Sequence, residues 1–267
     1  MTFFEKLAVV ARHNSSLVCV GLDPDPALMP QGMGVFEFNK AIIEATQDLV
    51  CAYKPNLAFY EALGGDGWRI LQKTVEAVPY YIPVIGDAKR GDVGNTARAY
   101  AKALFEGLGF DAVTVNPYLG GDAVEPFLAY EDRCTFLLCR TSNPGAADFQ
   151  SLVGPDGIPL YEAVARKALE WNTRGNLGLV VGATAPAELR RIRELCPQMP
   201  LLIPGVGAQG GDLEAVVASG QDAQGGGIII NSSRQVLYAS SGPDFASAAR
   251  AAAQALKDAI NACRRSA

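Results

Sequence analysis

Asp87, Lys89 and Asp92 fall within six residues of one another in the stretch VIGDAKRGDVGNTA (84–97), which opens as a short apolar run and ends in a helical pattern. Strand side chains alternate faces, so Asp87 and Lys89 are expected to point the same way, with Ile85 deeper on that face. A carboxylate and an ammonium buried at a strand end are costly unless paired. The triplet has two readings, an ion pair that closes a strand or an acid–base group, and alone it does not separate them. The proton chemistry open to this chain is that of Lys, Asp, Glu and Tyr, because His13 is its single histidine and lies far in sequence from every other candidate. That argues against a Ser-His-Asp or Cys-His device and against a multi-histidine metal site.

The elements that must position these groups follow a steady rhythm. Thr2-Phe3-Phe4-Glu5 fits a capping box, which predicts a short helix to about Arg12. Apolar, β-branched runs at 17–22, 51–56, 84–89, 112–117, 135–142, 176–184, 200–207 and 225–234 read as strands. Helical patterns separate them at 35–50, 59–76 (broken by glycines 64, 65 and 67), 96–106, 122–130, 160–171, from Pro186 to before Pro197, for about seven residues after AQGGD, and at 243–262. Runs without polar alternation suit strands buried on both faces of a parallel sheet. Eight such repeats give the count of a (β/α)8 TIM barrel of the α/β class, behind a short N-terminal helix. An open doubly wound sheet would favour GxGxxG after the first strand; the turn there reads GLDPDP. No linker or composition break divides the chain, so 1–267 reads as one barrel domain.

With 49% hydrophobic and 19% charged residues, the composition is that of a compact protein. A net charge of −5 gives no general pull towards nucleic acid, so an anionic ligand needs local donors. The six cysteines form no CxxC pair and several sit in apolar runs. This suits a reducing cytoplasm and argues against a disulfide framework or a four-cysteine zinc site. Glu5 and Lys6 ahead of LAVVA do not read as a secretory leader, and no apolar run approaches the ~18 residues of a membrane span. A cytoplasmic protein with no membrane partner is the expectation.

Chemistry in such barrels gathers at the C-terminal strand ends. Those ends carry Asp23, Lys54 with Asn56, Asp87 with Lys89, Asn116, Ser142 with Asn143, then Gln209 and Arg234 after the seventh and eighth strands. The last two ends are where barrels commonly hold phosphate. PGVGAQGGD offers backbone N–H groups at a helix start, and Arg234 can grip a phosphate through two parallel hydrogen bonds.

The run Asp87-x-Lys89-x-x-Asp92-Val93-Gly94-x-Thr96 resembles the signature of the orotidine 5′-phosphate decarboxylase family, which makes UMP in pyrimidine synthesis. GLDPDP (21–26), KPNLAFYE (54–61), RTSNPGA (140–146), PGVGAQGGD (204–212) and NSSR (231–234) are similar to that family's blocks in order, most like its longer bacterial branch. DxKxxD alone is shared with a wider set of barrel enzymes; five further blocks in order are far more specific. The resemblance implies a charged network of Lys54, Asp87, Lys89 and Asp92, with Asp92 reaching into the partner subunit's site and Lys89 donating the proton. It implies ribose binding by Asp23 with the partner's Thr96, pyrimidine contact by Ser142, and phosphate binding by Gln209 and Arg234. It also implies orotidine 5′-monophosphate as substrate, a homodimer with shared active sites, and no metal or organic cofactor. Ser233 departs from those members that place a phosphate-binding glycine before the arginine. Two rival readings stay open, a Mg2+-dependent phosphosugar decarboxylase or aldolase of the wider group and a non-catalytic nucleotide-binding protein. A Schiff-base aldolase is disfavoured, because an ammonium between two carboxylates is a poor amine nucleophile.

Overall fold

The computed structural model describes residues 1–206 and 212–264. Helix α1 (Phe3–His13) starts at the expected capping box, where the Thr2 hydroxyl accepts the Glu5 N–H and the Glu5 carboxylate accepts that of Thr2. Strands and helices then alternate as β1 (Val18–Gly21), α2 (Val35–Thr46), β2 (Ala52–Lys54), α3 (Leu57–Glu61), α4 (Gly67–Ala77), β3 (Ile85–Arg90), α5 (Gly94–Lys102), β4 (Ala112–Val115), α6 (Gly121–Leu128), β5 (Cys134–Arg140), α7 (Leu160–Trp171), β6 (Leu177–Val181), α8 (Pro186–Leu195), β7 (Leu201–Pro204), α9 (Leu213–Gly220), β8 (Ile228–Ser232), α10 (Arg234–Leu237) and α11 (Phe245–Cys263). The sheet runs β2-β1-β8-β7-β6-β5-β4-β3, with every neighbouring pair parallel. Isolated parallel bridges Tyr53–Val84 and Asn56–Asp87 join its two edges. The fold is the (β/α)8 barrel that the repeat count indicates. No helix among the described residues is long and apolar enough to cross a membrane.

Three local differences from the sequence expectation have physical causes. Helix α2 stops at Thr46 rather than near residue 50. Asn14 and Ser16 take the carbonyls of Gln47, Leu49 and Val50, which pulls that segment onto the end of α1 instead of into another turn. The 59–76 pattern divides into α3 and α4, and a Cβ on Gly67 would collide with the Tyr60 carbonyl oxygen, so only glycine lets the two helices meet this closely. Helix α10 is too short to leave a periodic trace in sequence.

The barrel interior is apolar at its centre. Cys19, Ala52, Ile85, Ala112, Phe136, Val180, Leu202 and Ile229 pack there, and Phe3 of α1 closes the N-terminal end with its ring edge-on to Phe136 at 5.8 Å. Residues of the opposite parity, such as Val20, Val113 and Ile230, belong to the second core beneath the helices. Each fully buried large side chain contributes roughly 1.5–3 kcal/mol. Buried Arg193 of α8 donates to the carbonyls of Cys196, Pro197, Met199, Gly220 and Gly227, tying together the segments that enter β7 and β8. Two residues further along their strands, Ala52, Ile85, Ala112 and Ile229 give way to Lys54, Asp87, Thr114 and Asn231 at the same inward parity. The apolar floor ends there and a polar chamber begins.

Candidate active site

The C-terminal strand ends enclose a cavity of about 690 Å3, and Asp23, Lys54, Asp87, Lys89, Ser142 and Arg234 line it. Asp87 is the hub. Lys54 Nζ donates to its Oδ2 at 3.0 Å, while Lys89 Nζ at 2.6 Å and the Thr114 hydroxyl at 2.8 Å both donate to Oδ1. The lysines differ in freedom, since the Lys54 side chain is 4% exposed and that of Lys89 48%. Lys54 is therefore part of the wall, and the Lys89 ammonium is the more accessible of the two. Burial alone would raise the Asp87 carboxyl, but Lys54 and then Lys89 hold it well below the usual carboxylate range. Burial likewise works to lower Lys54, and Asp87 followed by Asp23 outweighs it, so its ammonium titrates above the ordinary lysine value. Removing Asp87 would strand the buried Lys54 charge, and removing Lys54 would leave Asp87 short of its main cation.

Asp87 and Lys89 do converge, but not through regular strand alternation. Gly86 pairs with Val113 and Arg90 with Val115, so four steps along β3 match two along β4. Lys89 within this bulge has φ 47°, the left-handed region.

The β1 end is held by Asn56, from the strand-end set, and by Tyr238, which the sequence did not single out. Asp23 Oδ1 accepts the Asn56 N–H at 3.1 Å. The Tyr238 hydroxyl donates to the Asp23 carbonyl at 3.0 Å and accepts the Asp25 N–H at 2.6 Å, which pins the GLDPDP turn. Arg234 opens α10 directly after β8, is exposed, and makes no ion pair or side-chain hydrogen bond among the described residues. Asn231 is 5% exposed, lines the cavity, and leaves its Oδ1 without a partner among those residues. Thr114, Asn231 and Tyr238 are thus additions to the expected set. The inward parity of β4 and β8 could have found the first two; Tyr238 had no signal, since it falls between the expected eighth strand and the last helix, just past the short α10.

Asp92 and Thr96 do not line this cavity. The Asp92 carboxylate accepts the Val93 N–H at 2.8 Å, and Thr96 is exposed in the first turn of α5. Val93, Tyr100, Tyr118 and Leu119 are exposed apolar side chains of the same strand-end region. Gln209 lies outside the described residues. Among the described residues, no three His, Cys, Asp or Glu side chains group closely enough to hold a metal ion.

The chain matches the family model described as orotidine 5′-phosphate decarboxylase / HUMPS family over residues 16–252. Curated relatives named orotidine 5′-phosphate decarboxylase are 57% identical over 274 residues in Roseiflexus castenholzii and 54% identical over 269 residues in Dehalococcoides mccartyi, and each alignment covers 99% of both chains. The solved structure of Leishmania donovani OMP decarboxylase superposes with a TM-score of 0.87 at 44% identity, covering 98% of this chain and 99% of that one.

Proposed function

The chain belongs to the orotidine 5′-phosphate decarboxylase / HUMPS family, and we propose that the Lys54–Asp87–Lys89 array at its barrel mouth carries out that family's decarboxylation here. The enzyme is a carboxy-lyase that converts orotidine 5′-phosphate to UMP and carbon dioxide in pyrimidine biosynthesis. The residue roles rest on one observation above all, a buried Asp87 that fixes two ammoniums of which Lys89 alone is substantially exposed.

Loss of carbon dioxide breaks the bond from C6 to its carboxylate and leaves the electron pair on C6, in the ring plane where the π system cannot take it up. A fixed positive charge at that point stabilises the developing carbanion without any rearrangement. Lys89 supplies the charge and then transfers a proton to C6; the neutral amine recovers its proton from water. Asp87 orients Lys89 and faces the departing carboxylate, and Lys54 keeps Asp87 charged. Asp23 holds the ribose, Ser142 the pyrimidine, and Gln209 with Arg234 the phosphate. The reading needs no metal or organic cofactor.

Asp92 of the partner subunit and Thr96 of the partner subunit complete each site in a cytoplasmic homodimer of single-barrel chains. Supporting this are the position of both residues away from their own cavity and the exposed apolar side chains beside them, a surface of the kind that an interface covers.

The phosphate is remote from the reacting carbon, so its binding energy acts through capture and ordering of the substrate. Arg234→Ala should raise KM for orotidine 5′-phosphate by roughly 10- to 100-fold, the effect of losing about 1.5–3 kcal/mol of charge-assisted hydrogen bonding. Its kcat should change less. Steady-state kinetics on orotidine 5′-phosphate and on orotidine check this together with the function. The parent should strongly prefer the phosphorylated substrate, and Arg234→Ala should lose much of that preference. Parent enzyme that turns over neither substrate, or both equally, would overturn the proposal.

A further inference from the structure

We propose that Thr114 is a positioning residue of this site, whose single hydroxyl fixes both the Asp87 carboxylate and the Lys89 backbone and so sets where the Lys89 ammonium stands. The inference rests on the role proposed above for Lys89.

Thr114 lies on β4 between Val113 and Val115, the two residues that bracket the β3 bulge, and is 1% exposed. Its Oγ1 accepts the Lys89 N–H at 2.9 Å and donates to Asp87 Oδ1 at 2.8 Å. The directions follow from chemistry, because an amide N–H can only donate and the ionised carboxylate can only accept. The hydroxyl proton therefore has one destination. Lys89 Nζ closes the ring by donating to the same Asp87 oxygen at 2.6 Å. The path runs from the Lys89 N–H through the Thr114 hydroxyl and Asp87 Oδ1 back to the Lys89 ammonium, so both ends of this lysine are tied to one group.

The bulge explains why the tie is needed. Extra residues on β3 take the Lys89 N–H out of the regular ladder, and φ 47° is a conformation that a side-chain-bearing residue keeps only when its surroundings over-determine it. Thr114 fills the missing acceptor position. The branched Cβ of threonine also narrows the choice of χ1, which holds the hydroxyl in place between its two partners.

The test uses the full-length protein with Thr114→Val and Thr114→Ser beside the parent. Valine keeps the shape but provides neither donor nor acceptor; serine keeps both. Thr114→Val is expected to lower kcat by roughly 10- to 100-fold, the scale of a misplacement of about 1 Å, while KM for orotidine 5′-phosphate stays within about twofold. Thr114→Ser should restore most of kcat. If the valine variant fails to fold, Thr114→Cys, with its weak donor and acceptor, is measured in its place with the same expectation. A folded Val or Cys variant with parental kcat overturns the inference. So does a loss of kcat/KM borne equally by KM, or one that serine does not rescue. A parent inactive on orotidine 5′-phosphate would instead overturn the proposed function, and this inference with it.

Discussion

Lys89→Ala should fold like its parent and lose at least about four orders of magnitude in kcat on orotidine 5′-phosphate. The size follows from two losses at once. A single preorganised charge or donor at a developing anion is worth about 10²–10³-fold, and a positioned proton donor about 10²–10⁴-fold. The fold should survive because Lys89 is half-exposed and its removal does not strand Asp87, which keeps Lys54 on Oδ2 and Thr114 on Oδ1. Lys54→Ala is a poorer test of chemistry, since it leaves the buried Asp87 charge short of its main partner. Thermal unfolding together with UMP formation measured in single turnover separates the two effects. Lys89→Ala protein with normal turnover would sink the mechanism.

The second large effect concerns the proposed division of the site between chains. Asp92→Asn and Lys89→Ala dimers should each be nearly inactive, yet mixing them with subunit exchange should restore activity. In a mixed dimer one site combines both lesions, and the other pairs the Lys89 of one chain with the Asp92 of its partner, so it is intact. Random exchange of equal amounts makes half the dimers mixed, each with one good site of two, and recovery should approach roughly a quarter of the parental rate. Exchange is checked by mass-tagged subunits. Proven exchange without recovery would place Asp92 and Lys89 in the same chain's site.

Asp92 also marks where sequence stopped being a guide to geometry. Its place three residues after Lys89 suggests a lysine flanked by two carboxylates, but among the described residues of one chain only Asp87 meets that ammonium. The intervening backbone turns into α5 and carries Asp92 away, and a turn of this kind leaves no periodic signal. The barrel was legible because eight apolar strand runs, each followed by a helical pattern, have few other architectures open to them. Closure then brought Asp23, Lys54 and Arg234 together from opposite ends of the chain, as strand-end position alone indicated. The β3 bulge was hidden, since GDAKR reads as ordinary alternation, and Lys89 occupies a left-handed position without being glycine. Thr114 was hidden for a different reason. A β-branched residue among valines reads as a strand former, and its hydroxyl acquires meaning only when Asp87 and the Lys89 N–H are set around it.

Decarboxylation of orotidine 5′-phosphate by side chains alone is measured by following the loss of its absorbance with purified protein, with and without EDTA, and identifying the product. Conversion to UMP should proceed at the same rate in both samples. No conversion by folded protein, or conversion that EDTA abolishes and Mg2+ restores, would contradict it.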